Sequence, residues 1–215
     1  MQQLSLFAAL PASKVLQVLS TFAALTGTKP LPYCRHEIVL TPGAAGGAET
    51  SRMHLVRDLE PLPGVEEHAG SWTLTVLNVP EASKRAVTSQ QVHAARLAHG
   101  DVFAFVRGLG YVYAYDFLQR GRVVFYADAV VVTIYRVVPL AGDGDVLARA
   151  AAAAADDSAG LKTWMVHAYV NVLNANDQES MAAATEKLEA LKWELRGLVD
   201  LAMPDRTVLD SRVSR

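Results

Sequence analysis

Histidine, cysteine and paired carboxylates are the side chains that could hold a metal or move a proton, and here their spacing is sparse. The chain carries six His and a single Cys. His36, His54, His68, His93, His99 and His167 are each isolated, without the His-x-x-x-His or paired-Cys spacing that presents zinc ligands together. Cys34 and His36, two apart in an extended run, would share one strand face, but two ligands leave a metal site incomplete. Cys34 is expected as a small core residue, since free Cys is commonly buried. Gly43 to Gly47 lacks the Gly-Lys-Ser/Thr of a phosphate loop, and Gly108-x-Gly110 lacks the third glycine of a dinucleotide fingerprint, so both read as turn glycines. Asp143-Gly-Asp145 lacks the downstream ligands of a calcium loop, and no Ser sits in a Gly-x-Ser-x-Gly elbow. No catalytic, metal-binding or cofactor-binding residue is assigned.

Composition narrows the class further. Among 215 residues, 20 are basic and 22 acidic, for a formal charge of −2, with 51% hydrophobic. A nucleic-acid reader shows clustered Lys and Arg, so direct DNA or RNA binding is not expected. One Cys allows no intrachain disulfide, which fits a cytosolic or nuclear protein. The first residues carry no basic n-region ahead of Lys14, so no secretory signal is expected. The longest uncharged apolar run, Val15 to Thr28, is shorter than the roughly 20 residues that span a bilayer.

The elements that would position any site follow from periodicity. Gln3 to Ala9 reads as a strand, and Val15, Leu16, Val18, Leu19, Phe22 and Leu25 then repeat at helical spacing between Pro11 and Gly27. Strand-like runs follow at Tyr33–Leu40, Arg52–Leu59, Trp72–Val79 and Ala86–Leu97. Asp101 is placed to cap a short helix through Leu109. A second β-rich block comprises Tyr111–Leu118, Arg122–Tyr126, Val130–Val138 and Lys162–Leu173, with hairpin turns at Arg120–Gly121 and Ala127–Ala129. Within Tyr111–Leu118, strict alternation puts Tyr111, Tyr113, Tyr115 and Phe117 on one face. Asn176 with Glu179 suggests the capped start of a terminal helix whose stripe is Met181, Ala184, Leu188, Leu191, Leu195 and Leu198. Two connections, about residues 41–51 and 141–160, are expected to be flexible, and Ala150–Ala155 within the second reads equally as a helical fragment or a disordered tether. Roughly nine mainly antiparallel strands with few helices favour a single barrel domain over residues 1–215, because closure removes edges that would pair with other chains. The fold class is therefore α+β, mainly β: an antiparallel barrel with two short flanking helices and a long C-terminal helix.

Helix-flanked barrels of this size include triphosphate-hydrolysing tunnel enzymes, whose strands carry alternating Glu for divalent metal and several Lys or Arg for phosphate. Here Glu37 has Arg35 and Val39 as its alternate neighbours, and Trp72–Val79 has no charge, so no Glu-x-Glu pattern supports that chemistry.

The whole order of motifs resembles a known family. QLSLFAALP followed by a helix and LTG, then LVRDL, the Trp-x-Leu strand ending at Val79-Pro80, and AVTSQQV are similar to the family of subunit eighteen of Mediator, the RNA polymerase II coactivator. The second block, GDVFAFVRGLGYVYAYDFLQRGRVVFYADAVVVTIYRV, the helix EKLEALKWELRGLVDL and the tail PDRTVLDSRV resemble it as well. The likeness runs from about Gln3 to Val213 outside the two connections. It implies a barrel related to the triphosphatase tunnel but without its catalytic residues, a nuclear head-module component, a heterodimer with Mediator subunit twenty and a dock for a helix of subunit eight.

Two further expectations concern what the barrel binds. Its many Val, Tyr and Phe residues could line a cavity for a hydrophobic small ligand, the alternative to an interaction subunit. On the terminal helix, Trp193 lies two residues beyond Leu191, about 200° around from the inward stripe, with small Ala190 and Gly197 one turn away on either side. Trp193, Ala190 and Gly197 are the candidate partner-binding residues, since Trp is enriched at interface hot spots. Packing of Trp193 under its own tail, Pro204 to Val213, is the competing reading.

Overall fold

The computed structural model describes residues 1–43, 51–60, 70–82, 86–140, 145–156 and 160–213. Eight strands close into one antiparallel barrel: β1 Gln2–Pro11, β2 Leu31–Pro42, β3 Met53–Asp58, β4 Trp72–Leu77, β5 Thr88–Leu97, β6 Tyr111–Tyr126, β7 Val130–Pro139 and β8 Thr163–Val172, in the spatial order β1-β5-β4-β3-β2-β6-β7-β8. Four α-helices flank it: α1 Val15–Thr26, α2 Val102–Gly108, α3 Val146–Ala155 and α4 Gln178–Glu194. Both β-rich blocks thus contribute to a single closed wall. Residues 44–50, 141–144 and 157–159, inside the two connections expected to be flexible, lie outside the described residues. Of the two readings of Ala150–Ala155, the structure has the helix, with the Asp145 carboxylate accepting from the Leu147 N–H at its start.

The expected hairpin at Arg120–Gly121 is absent, because Tyr111–Tyr126 is one continuous strand. Gly121 sits in mid-ladder between Tyr33 of β2 and Tyr135 of β7. A Cβ there would lie 1.9 Å from the Ile134 carbonyl oxygen. This glycine serves a close backbone approach and not a turn. The Ala127–Ala129 turn is as expected, and Ala127 and Asp128 take φ of 49° and 61°, the left-handed geometry that suits the twist of a hairpin. One residue of β6 is extra: Val39 pairs with Tyr115 but Leu40 pairs with Tyr113, leaving Ala114 as a bulge. The bulge splits the expected aromatic face. Tyr111 and Tyr113 point with Asp116 to the outside, whereas Tyr115 and Phe117 share the side of Gln119, which faces inward.

The hydrophobic core lies outside the barrel, between its wall and the helices. Leu4, Leu6, Ala8 and Leu10 of β1, with Val166, Ala168 and Val170 of β8, meet Val18 and Phe22 of α1 and the α4 stripe Met181, Ala184, Leu188 and Leu191. Val106 of α2 covers Leu55, Trp72 and Tyr111, and Ala150 of α3 covers Cys34, Leu118 and Val138. Along β1, β2 and β8 the alternation turns Leu4, Leu6, Cys34, Ile38, Val166 and Val170 outward to the helices and Gln3, Arg35, Glu37, His167 and Asn171 inward. Capping fixes where the helices start. Asp101 accepts from the N–H groups of Phe103 and Ala104 at 2.9 and 3.0 Å, as expected. For α4 the cap is Asp177 and not Asn176. The Asp177 carboxylate accepts from the Ser180 N–H at 3.0 Å and its hydroxyl at 2.6 Å, while the Asn176 N–H donates to the side chain of Asn174. An ionised acceptor at the positive end of the helix outcompetes the neutral amide one residue earlier.

Candidate functional site

Three places bring polar or aromatic groups together. The first is the barrel lumen, a cavity of about 470 Å3. An eight-stranded barrel is just wide enough for its side chains to fill it. Here Ser71, Thr73, Thr75 and Ala94 on the β4–β5 wall are too short to do so, and they face Tyr33, Tyr135, His167 and Tyr169 across the space. Two of the charged groups inside are each matched by a neighbour of opposite charge or a hydrogen-bonding ring. Arg35 Nε donates to Asp58 Oδ1 at 2.7 Å, and His54 Nδ1 donates to Glu37 Oε1 at 2.6 Å. Glu37 Oε2 also accepts from Gln119 Nε2 (3.1 Å), whose carbonyl accepts from the Tyr33 hydroxyl (2.7 Å). Among the described residues, no group of three His, Cys, Asp or Glu could share a metal ion. His167 stacks on Phe7 with ring centroids 4.3 Å apart. Burial, reinforced by the nearby Arg35 charge, pushes its pKa down to about 3, so the ring is neutral. Burial pushes the Tyr135 hydroxyl up to about 12. A purely apolar cavity for a hydrophobic ligand is therefore not what the barrel encloses: Val130 and Val132 of β7 and Val166 and Val170 of β8 pack in the core with the helices, and the space inside mixes charged and hydroxyl groups with Phe7, Val56, Leu77 and Val92.

The second place is a buried polar cluster on the outer wall. His36 and Asp116 are paired across β2 and β6 with no side-chain exposure, His36 Nε2 donating to Asp116 Oδ2 at 2.9 Å. The other carboxylate oxygen accepts from the Tyr113 hydroxyl at 2.7 Å and from Arg149 of α3 at 3.5 Å. Burial holds the His36 pKa below its ordinary value against the pull of Asp116. A neutral His donating to a buried carboxylate, with Arg149 on the same carboxylate, ties α3 to the wall.

The third place carries the residues singled out on the terminal helix. Trp193 is 71% exposed, and the Arg196 guanidinium stands 5.1 Å over its ring. The indole borders a cleft of about 460 Å3 whose other walls are Lys192 of α4 and the chain from Val199 to Ala202. Ala190 and Gly197 are exposed, and Gly197 takes φ of +85° where the chain turns away from the helix. The α4 stripe itself is sealed, with Leu188, Leu191 and Leu195 fully buried. Trp193 is thus on the face opposite the core.

Sequence reasoning missed the His36–Asp116 pair and the inward set Tyr33, Arg35 and Glu37. The second had a signal, since these three alternate with Cys34, His36 and Ile38 along β2, and polar residues at every other position mark a face that cannot be core. The first had none, because 80 residues separate the partners.

Comparison with known proteins follows the same outline. The family model described as Med18 protein matches residues 2–212. A Yarrowia lipolytica protein named Mediator of RNA polymerase II transcription subunit 18 is 28% identical over 240 residues, covering 99% of this chain and 100% of that one. The protein of the same name from Eremothecium gossypii is 32% identical over 148 residues, 66% of this chain and 54% of its own, so the match spans about half of that relative. Among solved structures, a chain of the Schizosaccharomyces pombe Mediator head module aligns with a TM-score of 0.72 at 20% identity, covering 95% of this chain and 99% of that chain. The PH1819 protein of Pyrococcus horikoshii aligns with a TM-score of 0.53 at 14% identity, covering 90% of each. At these identities the structural likenesses concern the fold.

Proposed function

Because the chain belongs to the Med18 protein family, we propose that it acts as a non-enzymatic, single-domain subunit of the Mediator coactivator in the nucleus, regulating RNA polymerase II transcription through protein–protein contacts in the head module. The observation that carries this reading is the family match over residues 2–212, which embraces every strand and helix of the barrel. The lumen supports it from the chemical side. Its two carboxylates, Glu37 and Asp58, are each engaged by a neighbouring base, His54 and Arg35, and so do not converge on a common point where a divalent ion could sit. The named partners are Mediator subunits twenty and eight, implied by the family resemblance.

Trp193, with Ala190 and Gly197 beside it, is the proposed partner face. A large exposed indole, held flat by Arg196 and bordering a cleft, matches the aromatic and Arg anchors that dominate interface energies. The Trp193→Ala substitution separates this from a structural role. The isolated subunit should melt within a degree or two of the wild type, while co-purification of head-module subunits falls by about tenfold or more, as expected for loss of roughly 2 kcal/mol at a hot spot. A large fall in melting temperature with partner recovery intact would place Trp193 in the subunit's own stability and remove it from the interface.

A further inference from the structure

The chain beyond α4 returns across one mouth of the barrel. Leu201 is 1% exposed and sealed in the core with α1 and α4. Ala202 then pairs with Phe7 of β1 in both directions: the Phe7 N–H donates to the Ala202 carbonyl at 2.9 Å, and the Ala202 N–H donates to the Phe7 carbonyl at 2.8 Å. This contact has a topological reason. β5 pairs with β1 only from Gln2 to Ser5, so the following stretch of β1 has no strand on that side, and Ala202 covers it.

Past this point the character of the chain changes. Met203 and Val208 are 47% and 74% exposed. What holds the segment is a short series of hydrogen bonds to the ends of strands. Arg206 Nε donates to the Pro80 carbonyl at 2.6 Å, Gln90 Nε2 donates to the Leu209 carbonyl at 3.2 Å, the Ser211 hydroxyl donates to the Leu77 carbonyl at 2.5 Å, and the Arg52 N–H donates to the Ser211 carbonyl at 2.8 Å. These anchors lie where β4 ends, β5 begins and β3 begins. The segment therefore crosses that mouth, and Leu209 meets the lumen there beside Leu77 and Gln90.

We propose that residues 203–212 form a releasable strap that closes this mouth of the lumen, rooted at Leu201 and hinged at Met203–Pro204. A barrel strand is held by two ladders and by burial of its apolar face. The strap is held by a handful of hydrogen bonds, each worth about 1 kcal/mol net, with Leu209 half-buried and only the small Ser211 buried, so it belongs to the low end of the local stability range and opens while the barrel stays folded. Opening withdraws Leu209 and gives solutes a way to Gln90 and the interior polar chain from this end, with the Phe7–Ala202 pair unbroken. The root of the strap, Val199 to Ala202, is also a wall of the Trp193 cleft, so whatever seats in that cleft touches the residues that lead into the hinge.

Hydrogen exchange on the full chain reads this directly, because the Arg52 amide has its acceptor in the strap. The Arg52 amide should exchange at least about 100-fold faster than the ladder amides shared by β2 and β6, and Ser211→Ala should speed it by about a further tenfold, the effect of losing one hydrogen bond, without altering those ladder amides. A chain ending at Met203 should keep its barrel, with an unchanged far-ultraviolet spectrum and a melting temperature within a few degrees. Exchange of Arg52 in step with the ladder amides, or collapse of the shortened chain, would show that the segment is an integral brace and overturn the strap.

Discussion

His167 illustrates what the lumen does to a single residue. Its ring stacks on Phe7 and lies tilted against Tyr169, its Nε2 has no hydrogen-bond partner among the described residues, and its pKa falls from the ordinary 6.5 to about 3. Between those two values the unfolded chain binds a proton that the folded chain refuses, so folding stability rises with pH across that window and is lost as pH falls through it. Burial lowers the His36 pKa with the same sign. Replacing His167 with Gln should therefore flatten the dependence of stability on pH between about 6.5 and 4, measured by denaturant unfolding at a series of pH values. An unchanged slope would mean that the imidazolium is accommodated inside the barrel. Legibility at this scale was uneven. That Trp193 lies away from the apolar stripe followed from helical geometry, because angle around a helix is a local property, whereas its 71% exposure, with the tail not covering it, needed the structure. The burial of His36 against Asp116 depends on a ladder formed between distant strands, and no local pattern encodes it.

At the scale of elements, β6 decides the shape of the barrel, pairing with β2 over twelve residue pairs and with β7 over ten. Gly121 at its middle is a steric requirement of that double pairing. Any Cβ would meet the Ile134 carbonyl at 1.9 Å and the Tyr135 Cα at 2.7 Å, both backbone atoms that cannot swing aside. Gly121→Ala should accordingly cost roughly 3 kcal/mol, the upper end of overpacking penalties, seen as a lower denaturant midpoint. A variant as stable as the wild type would mean that the two ladders can separate there without loss. The sequence pattern exposed most of the strands, the alternating three- and four-residue spacing of the α4 stripe and the Asp101 cap, since those rest on side-chain periodicity and local hydrogen bonds. It misread Gly121 as a turn because an Arg-Gly pair between two β-rich runs looks the same whether the chain reverses or continues. It also placed four aromatic residues on one face of β6, because a bulge such as Ala114 is visible only once the partner strand is known.

As a whole, the molecule is a barrel whose main apolar core lies between its wall and the helices. Polar and charged side chains share the interior with a few apolar ones, and Val130, Val132, Val166 and Val170, among the valines that suggested a carrier of hydrophobic ligands, form part of the seam between wall and helices. That arrangement spends much of the hydrophobic surface on fixing the helices and leaves Trp193, on the outward face of α4, exposed. Membership in the Med18 family makes assembly the central property of the molecule, and affinity purification tests it most directly. The full chain, tagged and expressed in the nucleus of the cell it comes from, should recover Mediator head-module subunits in amounts near one per copy when bound proteins are identified and quantified by mass spectrometry. Recovery of the chain alone, or with a partner set containing no Mediator subunit, would contradict the assignment.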